Sequence, residues 1–327
     1  MTIKNISLSH LGTYVPDTNY SVEEVYSHIA NVGIEIDSEE VNYVKNTLNL
    51  KVVPVAVEES LQEMIFHACH SSIRQLRSEG KPIDRIIIVR TLQIDFHEEN
   101  LLESFKEEPY ILNIPTFSIS QQNCASIHMA FRIIKSMLLH QANIRGVLVV
   151  TADKSYHPSL RRIPDSLMGD AAACCYVSLE SGSHQIIDVN NIVDGRAYLG
   201  SNSDKEDLNW FNTSYFFLIR QVIQQVLKRN NINFEDIKLI IGSNVNLQTY
   251  FKLAQLLDIP ITKFYTKNIP LLGHLYCSDI LLNLESAIGD KKLAPGDLYV
   301  TLTIGMGGAF GCALHSYSHE NEREDEK

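Results

Sequence analysis

The 327-residue sequence has no apolar run approaching the roughly 18 residues that a membrane-spanning helix needs, and its opening stretch, MTIKNISLSHLG, carries no apolar signal core. A cytosolic protein is the expectation. Basic residues are also scarce, with 28 Lys and Arg against 39 Asp and Glu for a formal net charge of −11. They are scattered rather than clustered, so the electrostatic footprint of phosphate-backbone binding is missing and nucleic acid is excluded as a partner. Cysteine is sparse at six residues, Cys69, Cys124, Cys174, Cys175, Cys277 and Cys312. That is too few for a disulfide framework in so long a chain, and in a reducing compartment each is core or chemistry. The last stretch, SYSHENEREDEK, offers nothing to bury after Tyr317 and reads as a disordered acidic tail over 318–327.

What the sequence does hold is apolar content of 45%, enough for one large core or two joined ones. Short β-branched runs and longer segments of helical period recur in a fixed order. IDRIIIVRT reads as a strand, CASIHMAFRIIKSMLLHQ as a helix, then IRGVLVVTAD and GDAAACCYVSLE as strands. From Phe234 the order returns as FEDIKLIIGSN, SDILLNLESAI, PGDLYVTLTIG and GGAFGCALHSY. Strand, helix, strand, strand written twice predicts duplicated α/β halves, 1–179 and 180–317.

The helices opening at Cys124 and near Ser278 are apolar on nearly every side, which places both in the centre of the molecule. A pseudo-twofold would bring their N-terminal ends, with Cys124, His274 and Asp279, toward one site. Unpaired N–H groups and the positive dipole end there favour a thiolate and a developing oxyanion.

Duplicated halves, a cysteine opening a buried helix in SISQQNCASIHMAF, LMGDAAACC before a strand and IGMGGAFGCAL near the end resemble the thiolase superfamily. Within it the chain resembles ketoacyl-acyl-carrier-protein synthase III, from HLGTYVPDTNYSVEEV to Tyr317. The resemblance implies a five-layer αβαβα fold, usually a homodimer, with Cys124 as acyl-accepting nucleophile and the backbone N–H groups of Cys124 and Met306 as oxyanion hole. A main-chain donor does not depend on its side chain, so Met306 in place of the family's glycine does not by itself abolish that role.

Two departures from the family carry more information. The place of its catalytic histidine reads GSNVN, with Ser243 there and Asn246 retained, both possible auxiliaries. The place of its catalytic asparagine reads Gly273-His274. A decarboxylating condensation needs two donors on the enolate, and one remains. A histidine backed by a carboxylate suits general-base work instead, with Asp279 fixing the tautomer of His274. The Gly-His-four residues-Asp pattern resembles acyltransferase branches of the family, which implies transfer from a carrier-protein or coenzyme A thioester to a hydroxyl, amine or thiol acceptor in natural-product or fatty-acid-like biosynthesis. No bound cofactor is implied; the thioester is a substrate. The alternatives are a condensing enzyme with a rearranged site, in which Ser243 and His274 share the enolate work, and a non-catalytic subunit that binds carrier protein.

Plainer readings stand beside these. Cys124 can be a small buried hydrophobe and Asp279 an ordinary helix-start carboxylate. His128, one turn after Cys124, reads as a packed histidine, and Cys277 as a lesser rival nucleophile. HACH, with His67, Cys69 and His70, lacks a second cluster at zinc spacing, so no metal site is read. GMGGAFG leads into a strand and is not a dinucleotide loop. The family's coenzyme A tryptophan and its carrier-docking arginine are missing; the chain's one tryptophan is Trp210, and Gln248 takes the arginine's place. Carrier protein is the favoured donor, with Lys154, Arg161 and Arg162 as replacement docking charges or as solvated surface.

Overall fold

A computed structural model describes residues 5–92, 101–180 and 182–318. Ten strands form its main sheet: β1 (Ile6–Tyr14), β2 (Arg85–Val89), β3 (Thr116–Ile119), β4 (Gly146–Asp153), β5 (Ala171–Ser178), β6 (His184–Val193), β7 (Ile237–Gly242), β8 (Phe264–Tyr265), β9 (Leu298–Gly305) and β10 (Ala309–Tyr317). Their spatial order is β8-β7-β9-β10-β6-β1-β5-β4-β2-β3. Each strand of the first half therefore has a counterpart five labels later, and the orders 1-5-4-2-3 and 6-10-9-7-8 are the same. The directions repeat too, with β2 parallel to β3 and β4 and antiparallel pairs β4–β5 and β5–β1, matched by β7, β8, β9, β10 and β6. The halves join where β1 pairs antiparallel with β6 over three residue pairs, Ile6–Ile186 to Leu8–His184.

Five longer helices complete the layers: α1 (Leu61–Ser78), α2 (Ser126–His140), α3 (Lys205–Arg229), α4 (Leu247–Leu257) and α5 (Asp279–Gly289). α1 packs on β1, β4 and β5, and α3 on β6, β10 and α4. Between the half-sheets lie α2, which touches β2 and β4 but also β6 and β10, and α5, which touches β7 and β9 but also β1 and β5. The result is the expected αβαβα layering. Its central core joins Phe131 and Ile134 of α2 with Ile280 and Leu281 of α5, and each of these buried side chains contributes about 2 kcal/mol.

Sequence explains the layers. β4 and β5, GVLVVTAD and AAACCYVS, are buried at every residue, as a strand covered on both faces must be. That includes Cys174 and Cys175. α1 is an outer helix with a Ser60–Glu63 capping box and buried positions at intervals of three and four, among them Leu61, Ile65, Ala68 and Ser72. It approaches β1 so closely that a Cβ on Gly12 would lie 2.1 Å from the Ala68 carbonyl oxygen. α5 is buried at each of its first six residues. α2 is less enclosed than its composition predicted, since Arg132 is exposed and Lys135 reaches the Ile187 carbonyl at the edge of the layer. The tail from residue 319 onward lies outside the described residues.

Candidate active site

The two central helices do not open at their cysteines. α2 starts at Ser126 and α5 at Asp279, and each follows a 3₁₀ turn, Asn123–Ala125 and Tyr276–Ser278, with the cysteine in its middle. Each turn begins at a residue in the left-handed region, Asn123 at φ 48° and Tyr276 at φ 55°. The first helical side chain closes both mouths in the same way. Ser126 Oγ accepts the N–H of Gln122 at 3.2 Å, and Asp279 Oδ1 that of Leu275 at 2.8 Å.

Into the first mouth points His274. Gly273, at φ 59°, makes the turn; a Cβ there would meet Val53 Cγ1 at 2.6 Å and the Leu167 carbonyl at 2.7 Å. The LMGD segment, Leu167 to Asp170, then clamps the histidine backbone. His274 N–H donates to Leu167 O at 2.9 Å, and Gly169 N–H donates to His274 O at 3.0 Å. Held this way, His274 Nε2 lies 3.1 Å from Cys124 Sγ, while its Nδ1 hydrogen-bonds Asp279 Oδ2. Cys124, His274 and Asp279, 150 and 155 residues apart along the chain from the first, thus form one continuous hydrogen-bonded line, buried to 4%, 3% and 0% exposure.

The electrostatics follow from that line. Burial opposes charge on His274, but the neighbouring Cys124 and Asp279, through charge and hydrogen bonds, outweigh it and push its pKa well above the ordinary imidazole value. Asp279, at zero exposure, has its oxygens satisfied by N–H bonds from Leu275 and from Asn244, the latter at 2.7 Å, besides His274. An imidazolium 3.1 Å from the sulfur stabilises negative charge on it.

Other expected residues fall into place differently. Met306 opens the β9–β10 turn, and its carbonyl accepts the side-chain amide of Asn123, so its turn is tied to the residue before Cys124. Ser243 is buried, its Oγ a weak acceptor for Ile304 N–H at 3.5 Å. Asn246 is committed elsewhere: it caps α4 through Thr249 N–H at 2.8 Å and donates to Asp165 O at 2.9 Å. His128 sits between Thr303 Oγ1 at 2.7 Å and Thr301 Oγ1 at 2.9 Å, and burial drives its pKa down to about 3. Of the proposed docking charges, Arg161 is buried in a bidentate pair with Asp170 at 2.7 and 3.0 Å, Arg162 pairs with Glu40, and Lys154 donates to Glu59 O at 2.6 Å. Arg161 is therefore not a surface charge, because the carboxylate it neutralises is itself fully buried. In HACH, Cys69 is core, His67 stacks on Tyr14 and His70 pairs with Glu108. Among the described residues no group of three or more His, Cys, Asp or Glu is placed to hold a metal.

Sequence reasoning missed Thr91 and Asp153. Thr91 Oγ1 lies 3.6 Å from Cys124 Sγ and 3.3 Å from Cys277 Sγ, and its N–H is held by the Asp153 carboxylate at 2.9 Å, with Leu92 N–H at 2.8 Å. Burial raises the Asp153 pKa to about 7, against those hydrogen bonds. Asp153 at the end of the mostly apolar run GVLVVTAD was the available signal.

Layer order and duplicated halves define a thiolase fold, and solved structures share it. ChlB3, titled an acyltransferase, superposes with a TM-score of 0.79 at 17% identity over 96% of this chain and 98% of that one. The 3-oxoacyl-(acyl carrier protein) synthase III FabH of Pseudomonas aeruginosa gives 0.77 at 16% identity over 96% and 98%. By sequence, residues 227–317 match the 3-oxoacyl-[acyl-carrier-protein] synthase III C-terminal family. The β-ketoacyl-[acyl-carrier-protein] synthase III of Aquifex aeolicus is 23% identical over 94% of this chain and 97% of its own length. The chain thus has a thiolase fold and is similar over nearly its whole length to ketoacyl synthase III proteins.

Proposed function

We propose that the protein is a ping-pong acyltransferase, and the observation that carries this reading is the Cys124–His274–Asp279 line. In the first half-reaction the Cys124 thiolate attacks the donor thioester carbonyl. The N–H groups of Cys124 and Met306 are assigned to the oxyanion, and His274 gives its proton to the departing thiol. The histidine is then neutral. In the second half-reaction it takes a proton from a hydroxyl, amine or thiol acceptor, which attacks the acyl-cysteine and releases the thiolate beside the restored imidazolium. Asp279 holds the ring's tautomer and balances its charge in both steps.

The relatives' names include acyl carrier protein, and a carrier-borne acyl group is the donor proposed here. A condensing role would need a second donor on the enolate. Asn246 is occupied in capping and Ser243 Oγ faces a backbone N–H, which favours transfer over condensation. A second copy is proposed to pair along β3, one of the sheet's two edge strands, where Phe117 is 39% exposed. The deciding experiment offers the protein simple acyl and malonyl thioesters and follows protein mass and carbon dioxide. Acyl-protein that passes its group to a nucleophile without carbon dioxide supports the reading. Carbon dioxide with a ketoacyl product establishes the condensing alternative, and neither adduct nor product leaves a binding subunit.

A further inference from the structure

The duplication sets a second thiol beside the first. Cys277 Sγ lies 3.3 Å from Thr91 Oγ1, the oxygen that also reaches Cys124 Sγ at 3.6 Å. It donates at 3.4 Å to the Asn123 carbonyl, the one bonded to the nitrogen of Cys124 itself. Both cysteines occupy the middle of equivalent 3₁₀ turns, and both sulfurs fall within reach of a single hydroxyl. Disulfide formation asks for cysteines whose backbones already stand close, and these two are the pair the fold brings together at the site.

We propose that Cys124 and Cys277 form a reversible disulfide when the protein meets a hydroperoxide, with Cys277 as the resolving thiol. The inference rests on the thiolate reading of Cys124. The thiolate attacks one peroxide oxygen, the O–O bond breaks, and the departing hydroxide takes the His274 proton as water, leaving a sulfenic acid on Cys124. The Cys277 sulfur then attacks that sulfur. The S–S bond forms, the S–O bond breaks, and the hydroxyl leaves with the Cys277 proton as a second water. Two thiols lose two electrons and one peroxide gains them. Cys277 serves as the resolving partner and not as the first target, because burial, with the charges of Asp153 and Cys124, keeps its thiol protonated. The disulfide blocks further oxidation of the nucleophile to sulfinic acid, which thiols do not reverse.

The test uses the full chain, reduced and then treated with hydrogen peroxide, followed by peptide mapping without reductant. The expected result is a Cys124–Cys277 cross-linked peptide within one chain, loss of thioester loading, and recovery of both thiols and loading with dithiothreitol. Cys277→Ala should give no cross-link and should carry Cys124 to sulfinic acid, with loading not recovered. Sulfinic acid on Cys124 of the wild type without a cross-link, or a cross-link through another cysteine, overturns the proposal. Loading measured on the reduced protein before peroxide reports the nucleophile reading by itself, so a failure of that reading is told apart from a failure of the cross-link.

Discussion

The two mouths of the central helices have nearly the same backbone and different chemistry. Asn123–Ser126 and Tyr276–Asp279 share a left-handed first residue, a cysteine second and a side chain that closes the turn from the fourth position. Where the first half closes with Ser126, the second closes with Asp279. A serine accepts its backbone N–H and stops there. The carboxylate of Asp279 has a second oxygen, which accepts from Asn244 N–H and also holds His274, and the histidine reaches across to the cysteine of the other half. Cys277 receives no such partner and remains a thiol against Thr91 and the Asn123 carbonyl. Duplication supplies two equal turns; one carboxylate decides which cysteine has the histidine beside it.

Removing His274 should break that asymmetry most severely. His274→Ala is expected to lower transfer by about 10²–10⁴-fold, the usual worth of a positioned acid or base. Single-turnover kinetics should show loading slowed and acyl-enzyme decay no longer quickened by acceptor. Asp279→Asn should follow with a loss on the order of tenfold to a thousandfold, since the amide can hold the ring but does not stabilise the imidazolium. Its pH–rate profile is the readout: without the carboxylate the raised His274 pKa falls, and the imidazolium needed for loading disappears at lower pH than in the wild type.

His128 sharpens the comparison from the other side, as a histidine on the first mouth's helix with no carboxylate. Its pKa is driven by burial to about 3, and that of His184 to about 4, both below the unfolded value of 6.5. The unfolded chain therefore binds protons that the folded one does not. Stability is full above pH 6.5 and falls as the pH drops toward the folded values, by about 1.4 kcal/mol per pH unit for each ring. His315, whose pKa burial also drives well below 6.5, adds to this, so urea unfolding at pH 7 and pH 5 should show a matching loss, reduced by about a third in a well-folded His128→Gln variant if the three rings dominate. The smallest effect is expected at Ser243. Its hydroxyl makes one long contact, so Ser243→Ala should cost about 1 kcal/mol or less in stability and leave most transfer activity. A loss equal to that of His274→Ala would favour the condensing alternative.

Much of this was legible in the sequence because it depends on local pattern. Period-two and 3.6 patterns with glycine turns located the repeated elements, and the spacing from His274 to Asp279 put both on one helix mouth. Contacts made by topology were not legible. Nothing near Thr91 indicates that the sheet carries it between two sulfurs, and nothing near Leu167 or Gly169 indicates that they clamp His274. Arg161 read as a surface charge because its partner Asp170 lies across a turn whose burial depends on distant packing. Asn246 read as a site residue by position, while its side chain is spent on capping α4.

The claim that the first mouth and not the second carries the acyl group is tested most directly by mapping the adduct. Reduced protein given an excess of acyl thioester, quenched in acid and digested should show one acyl mass on the peptide containing Cys124 and none on that containing Cys277, with the adduct absent from Cys124→Ala. An acyl group on Cys277, or an adduct that survives Cys124→Ala, would contradict the account.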